Sequence, residues 1–252
     1  MIEILILSLV QGVTEFIPVS SSSHLILISE YSNFQNKKLE IDVGLHIGSF
    51  IAVVTFFRQD IFNFIKNKDL FVKVLFGSLP VIISGFLLVK FNLIENIRNV
   101  EVIGWMTLIF GLILYFTDKY KGNKKIKINF TFKNAAVIGL MQVLSLIPGV
   151  SRSGICITGA RFLNFNIFDS AKISFLFSIP TLGAVSIYGL KNIITAESLD
   201  FSILIFLSIF LSFIFSYITI KFFLNYIKKF SLNLFVIYRL VLGVFLLSTV
   251  YL

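Results

Sequence analysis

Residues 140–154 read "LMQVLSLIPGVSRSG". The stretch is mostly apolar up to Ile147. It then breaks into Pro148, Gly149 and small polar residues around Arg152. Proline ends a helix because it has no N–H and its ring crowds the preceding turn. Serines placed just before an apolar run open the next helix. Residues 9–23, "LVQGVTEFIPVSSSS", repeat the pattern with one inserted residue: Leu-x-Gln, then Ile-Pro, then a Val followed directly by a serine-rich turn. This pair decides the fold. The competing explanation is chance similarity between two apolar stretches.

The surrounding sequence sets the solvent. Of 252 residues, 57% are hydrophobic and 14% charged, and the mean hydropathy is +0.94. Six apolar stretches of 17 to 22 residues, at about 41–57, 74–91, 101–117, 172–190, 201–222 and 234–252, match the roughly 20 residues that cross a hydrocarbon core. The chain therefore reads as an all-α polytopic membrane protein. The run at 4–10 has no basic region before it and no small-residue cleavage site before the polar break, so it reads as part of the domain rather than a leader. The net charge of +9 lies mostly in loops, where it fits anionic headgroups rather than nucleic acid. A single cysteine, Cys156, makes no internal disulfide, and two histidines make no poly-His zinc site.

Loop charge orients the spans. Segment 118–133 holds six Lys against one Asp, and "KKFS" at 228–231 is also basic, so both are expected in the cytoplasm. The loops at 30–40, 92–100 and 191–200 are balanced or acidic and are expected outside. Counting crossings between these loops leaves 134–163 starting and ending inside, and 1–29 starting and ending outside. Each broken stretch must enter the membrane and return. The prediction is one domain, 1–252, with six transmembrane helices plus two re-entrant helical hairpins in an inverted-topology repeat. Its halves run about 1–117 and 134–252, joined by the Lys-rich linker 118–133. Pro80 and Pro180 are expected as kinks in matching helices of the two halves, and the 30 Phe as lipid-facing bulk.

Non-helical backbone at membrane depth must be buried in protein or line a wet cavity. N–H groups at a new helix start favour an anion. The hydroxyls of Ser20, Ser21, Ser22, Ser151 and Ser153 add donors, and Arg152 adds a planar fork suited to phosphate oxygens. An Arg at membrane depth costs about 2.5–3.5 kcal/mol on insertion scales, so it needs a partner or an anion. Glu15, in the opposite repeat, is similarly placed. The two either form a purely structural pair or share a substrate pocket. His24 follows the serines and is either a satisfied core residue or a nucleophile or general acid/base. Glu15 is a candidate base or metal ligand. Asp42 and His46, spaced i, i+4, either cap a helix at the interface or line the pocket. Gln11 and Gln142 take matching places and read as hydrogen-bonding supports, with substrate contact open for both.

"QGVTEFIPVSSSSHLIL" and "PGVSRSG" resemble the two signature motifs of the undecaprenyl-diphosphate phosphatase family, also called bacitracin-resistance proteins. "IDVGLHIGSFIAVVTFF" (41–57), "FSIP" (177–180) and "VIYRLVLG" (236–243) fit as well, so the resemblance covers nearly the whole chain. It implies six transmembrane helices and two re-entrant hairpins, with a site open to the periplasmic or outer face of the bacterial plasma membrane. It implies hydrolysis of undecaprenyl diphosphate to undecaprenyl phosphate, which recycles a lipid carrier of cell-wall synthesis. By position it implicates Glu15, Ser21, His24 and Arg152, with Ser or His as nucleophile, and dependence on divalent Mg or Ca. A polyprenyl diphosphate is the expected substrate, and a homodimer is left open. Gln11 stands where many members carry Glu, a place where Gln also fits the family, so the departure that stands out is Ser23, where Gly usually precedes the His. If that Gly needs positive φ, Ser23 is strained by about 1 kcal/mol or more. An inverted-repeat transporter or flippase of a polyprenyl phosphate is the alternative from another functional class.

Overall fold

A computed structural model describes residues 2–31, 39–66, 68–93, 97–195 and 203–252. The loops at 30–40, 92–100 and 191–200, whose charge set the orientation above, lie wholly or partly outside the described residues. Both polar breaks interrupt helices where the sequence places them. Helix α1 (Ile2–Thr14) stops before Glu15, and α2 (Ser21–Tyr31) opens on the serine run. Helices α3 (Leu39–Phe56), α4 (Arg58–Lys66), α5 (Lys68–Lys90) and α6 (Val100–Asp118) complete the first half. The linker carries a single turn of helix, α7 (Ile126–Asn129). Helix α8 (Phe132–Val143) tightens into a 3-10 turn at Leu144–Leu146, and α9 (Arg152–Phe162) opens beyond the second break. Then follow α10 (Ile167–Thr195), α11 (Ile203–Tyr226) and α12 (Asn233–Tyr251).

Five helices, α5, α6, α10, α11 and α12, are long and apolar enough to cross a membrane. The sixth expected span falls on α3, which is not among the five; its first half carries Glu40, Asp42 and His46. Pro80 and Pro180 do lie inside helices, but those helices do not match. Pro80 is in α5, the second long helix after the first break, and Pro180 is in α10, the first after the second break.

The two halves interleave. Helix α1 packs on α11, and its counterpart α8 packs on α5; α3 lies against α10 and α11, and α6 pairs with α12. Small residues allow this, because helices in lipid gain stability from close backbone approach rather than from hydrophobic exclusion. A Cβ on Gly139 of α8 would lie 1.8 Å from Gly77 O of α5. One on Gly48 of α3 would lie 2.4 Å from Ile209 O of α11. Hydroxyls then join the same surfaces: Ser212 Oγ donates to Leu45 O (2.6 Å), and Ser49 Oγ bonds Ser216 Oγ (3.0 Å).

The Phe side chains are divided rather than uniformly lipid-facing. Phe206, Phe210 and Phe245 are exposed, whereas Phe16, Phe175, Phe177 and Phe223 are fully buried. Phe16, from the first break, meets Phe175 edge-on with centroids 5.6 Å apart, which seats that break in the core. Helix α9 is buried from Ser153 to Arg161, between α6, α8 and α10. The linker is pinned to its far end: Arg161 donates to Asp118 O (3.1 Å), Tyr120 O and Phe165 O (2.9 Å). Lys124 N donates to Asn164 O (3.0 Å).

Candidate active site

Each break ends in a serine with a left-handed backbone, Ser20 (φ 80) and Ser151 (φ 71), and each of these precedes the first residue of a helix. Such a conformation is uncommon away from glycine and is found where the surroundings enforce it. Ser151 Oγ caps α9 by accepting from Gly154 N (3.2 Å). Ser20 Oγ bonds Ser23 Oγ (2.9 Å) and Ser22 Oγ (3.3 Å). Ser23 itself lies within α2, buried, and outside the left-handed region. The strain anticipated at Ser23 is therefore absent; it sits three residues earlier, at Ser20.

The first residues of α2 and α9 are Ser21 and Arg152, and both reach Glu15. Arg152 Nη2 donates to Glu15 Oε1 (2.8 Å), while Ser21 Oγ (2.5 Å) and Gln11 Nε2 (3.1 Å) donate to Oε2. The carboxylate is buried, and the Arg152 side chain is 13% exposed. Arg152 also reaches Ser174 O (3.4 Å), yet its Nε is buried without a partner. Buried donors are nearly always satisfied, so this N–H is available to a ligand. Ser153 Oγ donates to Ile17 O (2.8 Å) and lies 3.2 Å from Ser151 Oγ. The hydroxyls of Ser151 and Ser153 thus join the two breaks to each other. Ser22 is exposed at the start of α2.

His24 lies one turn into α2 and makes no hydrogen bond to Glu15 or Ser21 among those described. Its Nδ1 is 2.7 Å from Ser20 O, and its Nε2 is 2.5 Å from Tyr238 Oη. A carbonyl only accepts, so Nδ1 carries the proton, and in the neutral ring Nε2 accepts from the tyrosine. The two rings stack, centroids 5.7 Å apart. On α3, His46 Nδ1 donates to Asp42 O (2.8 Å). Gln142 does not repeat the contact of Gln11: it is fully buried and neither amide atom has a partner.

Two residues of α12 went unassigned from sequence. Tyr238 covers His24, and Arg239, fully buried, donates to carbonyls of both breaks: Pro18 O (3.3 Å), Gly149 O (2.8 Å) and Val150 O (3.1 Å). The signal for Arg239 was present. It is an arginine inside an apolar span, the same anomaly that singles out Arg152.

The family model of the bacitracin resistance protein BacA matches residues 4–245. The chain belongs to the BacA family. Among its relatives, the undecaprenyl-diphosphatase of Pelagibacter ubique (strain HTCC1062) is 49% identical over 253 residues, covering 99% of this chain and 98% of the relative. The undecaprenyl-diphosphatase of Hahella chejuensis (strain KCTC 2396) is 39% identical over 264 residues, at 99% and 98% coverage. That of Elusimicrobium minutum (strain Pei191) is 39% identical over 255 residues, at 97% and 96%. BacA membership thus extends over both breaks and all the helices that hold them.

Proposed function

We propose that this BacA-family chain hydrolyses undecaprenyl diphosphate to undecaprenyl phosphate and inorganic phosphate, as the names of its relatives describe. One observation carries the reading: Ser21 Oγ–H points at a buried carboxylate whose other oxygen is held by Arg152. That is a nucleophile beside a base, with a guanidinium N–H still unspent. A flippase needs no such couple.

In this reading the terminal phosphate sits over the start of α2, against Arg152 Nε–H and the exposed Ser22. Glu15 takes the Ser21 proton as Oγ attacks the terminal phosphorus, the bridging P–O bond breaks, and undecaprenyl phosphate leaves carrying that proton, which restores the Glu15 carboxylate. Water then attacks the phosphoserine, Glu15 taking its proton and returning it to Ser21 Oγ as the Oγ–P bond breaks, and phosphate is released. The arrangement favours Ser21 over His24 as nucleophile, because both His24 nitrogens are engaged elsewhere. His24 instead orders the α2 start through Ser20 O. Catalysis rests on position and charge, as in other phosphoryl transfers.

Among the described residues no three His, Cys, Asp or Glu side chains gather to hold a metal. Mg²⁺ is commonly held by one or two carboxylates together with substrate phosphates. Glu15 does not fit that arrangement as it stands, because its Oε1 is held by the Arg152 cation and its Oε2 by Ser21 and Gln11, so no step is routed through a metal.

The same reading makes α3 the sixth crossing and the two breaks re-entrant, with the Lys-rich linker in the cytoplasm and the site open to the outer face of the bacterial plasma membrane. Interleaving of α1 with α11 and of α8 with α5 supports an inverted repeat. Because Cys156 is buried, introduced cysteines report cleanly. Asn92→Cys should label from outside only, and Lys121→Cys from inside only; the reverse overturns the topology. For the chemistry, purified wild-type protein in lipid nanodiscs should release phosphate from undecaprenyl diphosphate, and a denaturing detergent quench at neutral pH, where both phosphoserine and phosphohistidine survive, should trap phosphate on Ser21. Phosphate trapped on His24 overturns the assignment of the nucleophile, and no release at all overturns the function.

A further inference from the structure

A guanidinium has five N–H donors, and Arg239 uses all of them on main-chain carbonyls. Nε donates to Thr107 O (3.2 Å). Nη1 donates to Pro18 O (3.3 Å) and Val150 O (3.1 Å), and Nη2 to Gly149 O (2.8 Å) and Met106 O (3.5 Å). The side chain is 0% exposed. Among the described residues it forms no ion pair with a carboxylate. A buried charge surrounded only by carbonyls is an expensive way to fill space, and an apolar side chain would pack there more simply.

The carbonyls it gathers have one thing in common. Pro18 stands two residues before the left-handed Ser20, and Gly149 and Val150 stand immediately before the left-handed Ser151. One planar side chain from α12 thus grips both breaks just upstream of the residues that open α2 and α9. Those opening residues, Ser21 and Arg152, must meet on the two oxygens of Glu15. The backbone leaves room for this grip and little more: a Cβ on Gly154 would approach Arg239 Nη1 to 3.1 Å.

We propose that Arg239 is a positioning residue for phosphoryl transfer. It sets the separation and register of the two breaks, so that Ser21 and Arg152 converge on one carboxylate. With every donor spent it does not touch substrate, in contrast to Arg152, whose Nε–H is free. The proposal rests on the phosphatase reading above. Lysine keeps the charge but offers three donors from one point, and it cannot span carbonyls of two breaks in a plane.

The test uses the full chain in nanodiscs, with phosphate release from undecaprenyl diphosphate, gel-filtration profile and Tm measured for each variant. Arg239→Lys should remain monodisperse, keep KM within about threefold, and lose about 10- to 100-fold in kcat, the scale expected when reacting groups shift by about 1 Å. In an Arg152→Lys background, Arg239→Lys should lower kcat by less than its effect alone, since part of what it positions is already lost. A folded Arg239→Lys with wild-type kcat overturns the proposal, and so do fully multiplicative losses in the double variant. A purely structural role would lower Tm and yield while leaving kcat per folded molecule intact. If Arg239→Lys does not fold, Gly154→Ala takes its place. A several-fold loss of kcat at near-native Tm supports the role, and unchanged kcat overturns it. A wild-type chain that releases no phosphate overturns the functional reading, and this role with it.

Discussion

Ser21 and Arg152 each stand first in the helix that opens beyond one of the two polar breaks, and they hold opposite oxygens of a single carboxylate, that of Glu15. The two breaks are thus alike in backbone, each turning through a positive-φ serine into a helix, and unlike in chemistry. One helix start brings a hydroxyl and the other a cation.

Ser21→Ala removes the attacking oxygen and leaves Glu15, Arg152 and both helix starts in place. Phosphate release should fall by about 10³-fold or more, with KM for undecaprenyl diphosphate changed only a few-fold. A variant that keeps a tenth of wild-type kcat would exclude Ser21 as nucleophile.

The Glu15–Arg152 pair is buried, and removing one partner of a buried pair destabilises by roughly 3–5 kcal/mol because the other charge is left uncompensated. Glu15→Gln should therefore lose both activity and thermal stability. Glu15→Gln combined with Arg152→Met should recover much of the Tm while remaining inactive. Equal Tm values for the single and double variants would show that the pair carries no such coupling.

Tyr238→Phe keeps the ring stacked on His24 and removes one hydrogen bond to Nε2. A net loss near 1 kcal/mol corresponds to roughly a fivefold lower kcat by the usual conversion. His24→Ala, which also frees Ser20 O, should cost far more. If Tyr238→Phe raised kcat instead, the tyrosine would be acting as a brake on His24.

Gly139→Ala drives a methyl against Gly77 O, which lies 1.8 Å from the added carbon. Helices α8 and α5 must separate, at a cost of about 1–3 kcal/mol. Unfolding in detergent should show a clearly lower Tm, whereas Gly85→Ala, whose added carbon meets only Leu146 Cδ2 at 3.5 Å, should change it little.

Much of this was legible in the primary structure, and the reasons are local. A proline followed closely by a serine-rich turn marks a break, whereas Pro80 and Pro180, which lack one, stay inside helices, so both interruptions and both helix starts could be placed. Arg152 and Glu15 stood out because charge inside apolar sequence is costly. The misplacement of strain at Ser23 has a local cause too: the turn's left-handed residue is fixed by where α2 begins, at Ser21, and that start is shared among four serines that look alike in sequence. Gln11 and Gln142 look equivalent, yet only Gln11 finds a carboxylate one turn away, in Glu15.

The amino-acid order alone determined that the chain is a helical membrane protein and that two polar breaks interrupt its helices. Tertiary structure alone decided that Glu15 is shared by both helix starts, that Tyr238 closes off His24, and that Arg239 ties the breaks together. The division follows from the solvent. Lipid and protein interior are equally apolar, so hydrophobic pattern shows that a segment is buried without showing against what. Partners are settled by small-residue contacts and buried hydrogen bonds between segments far apart in the chain.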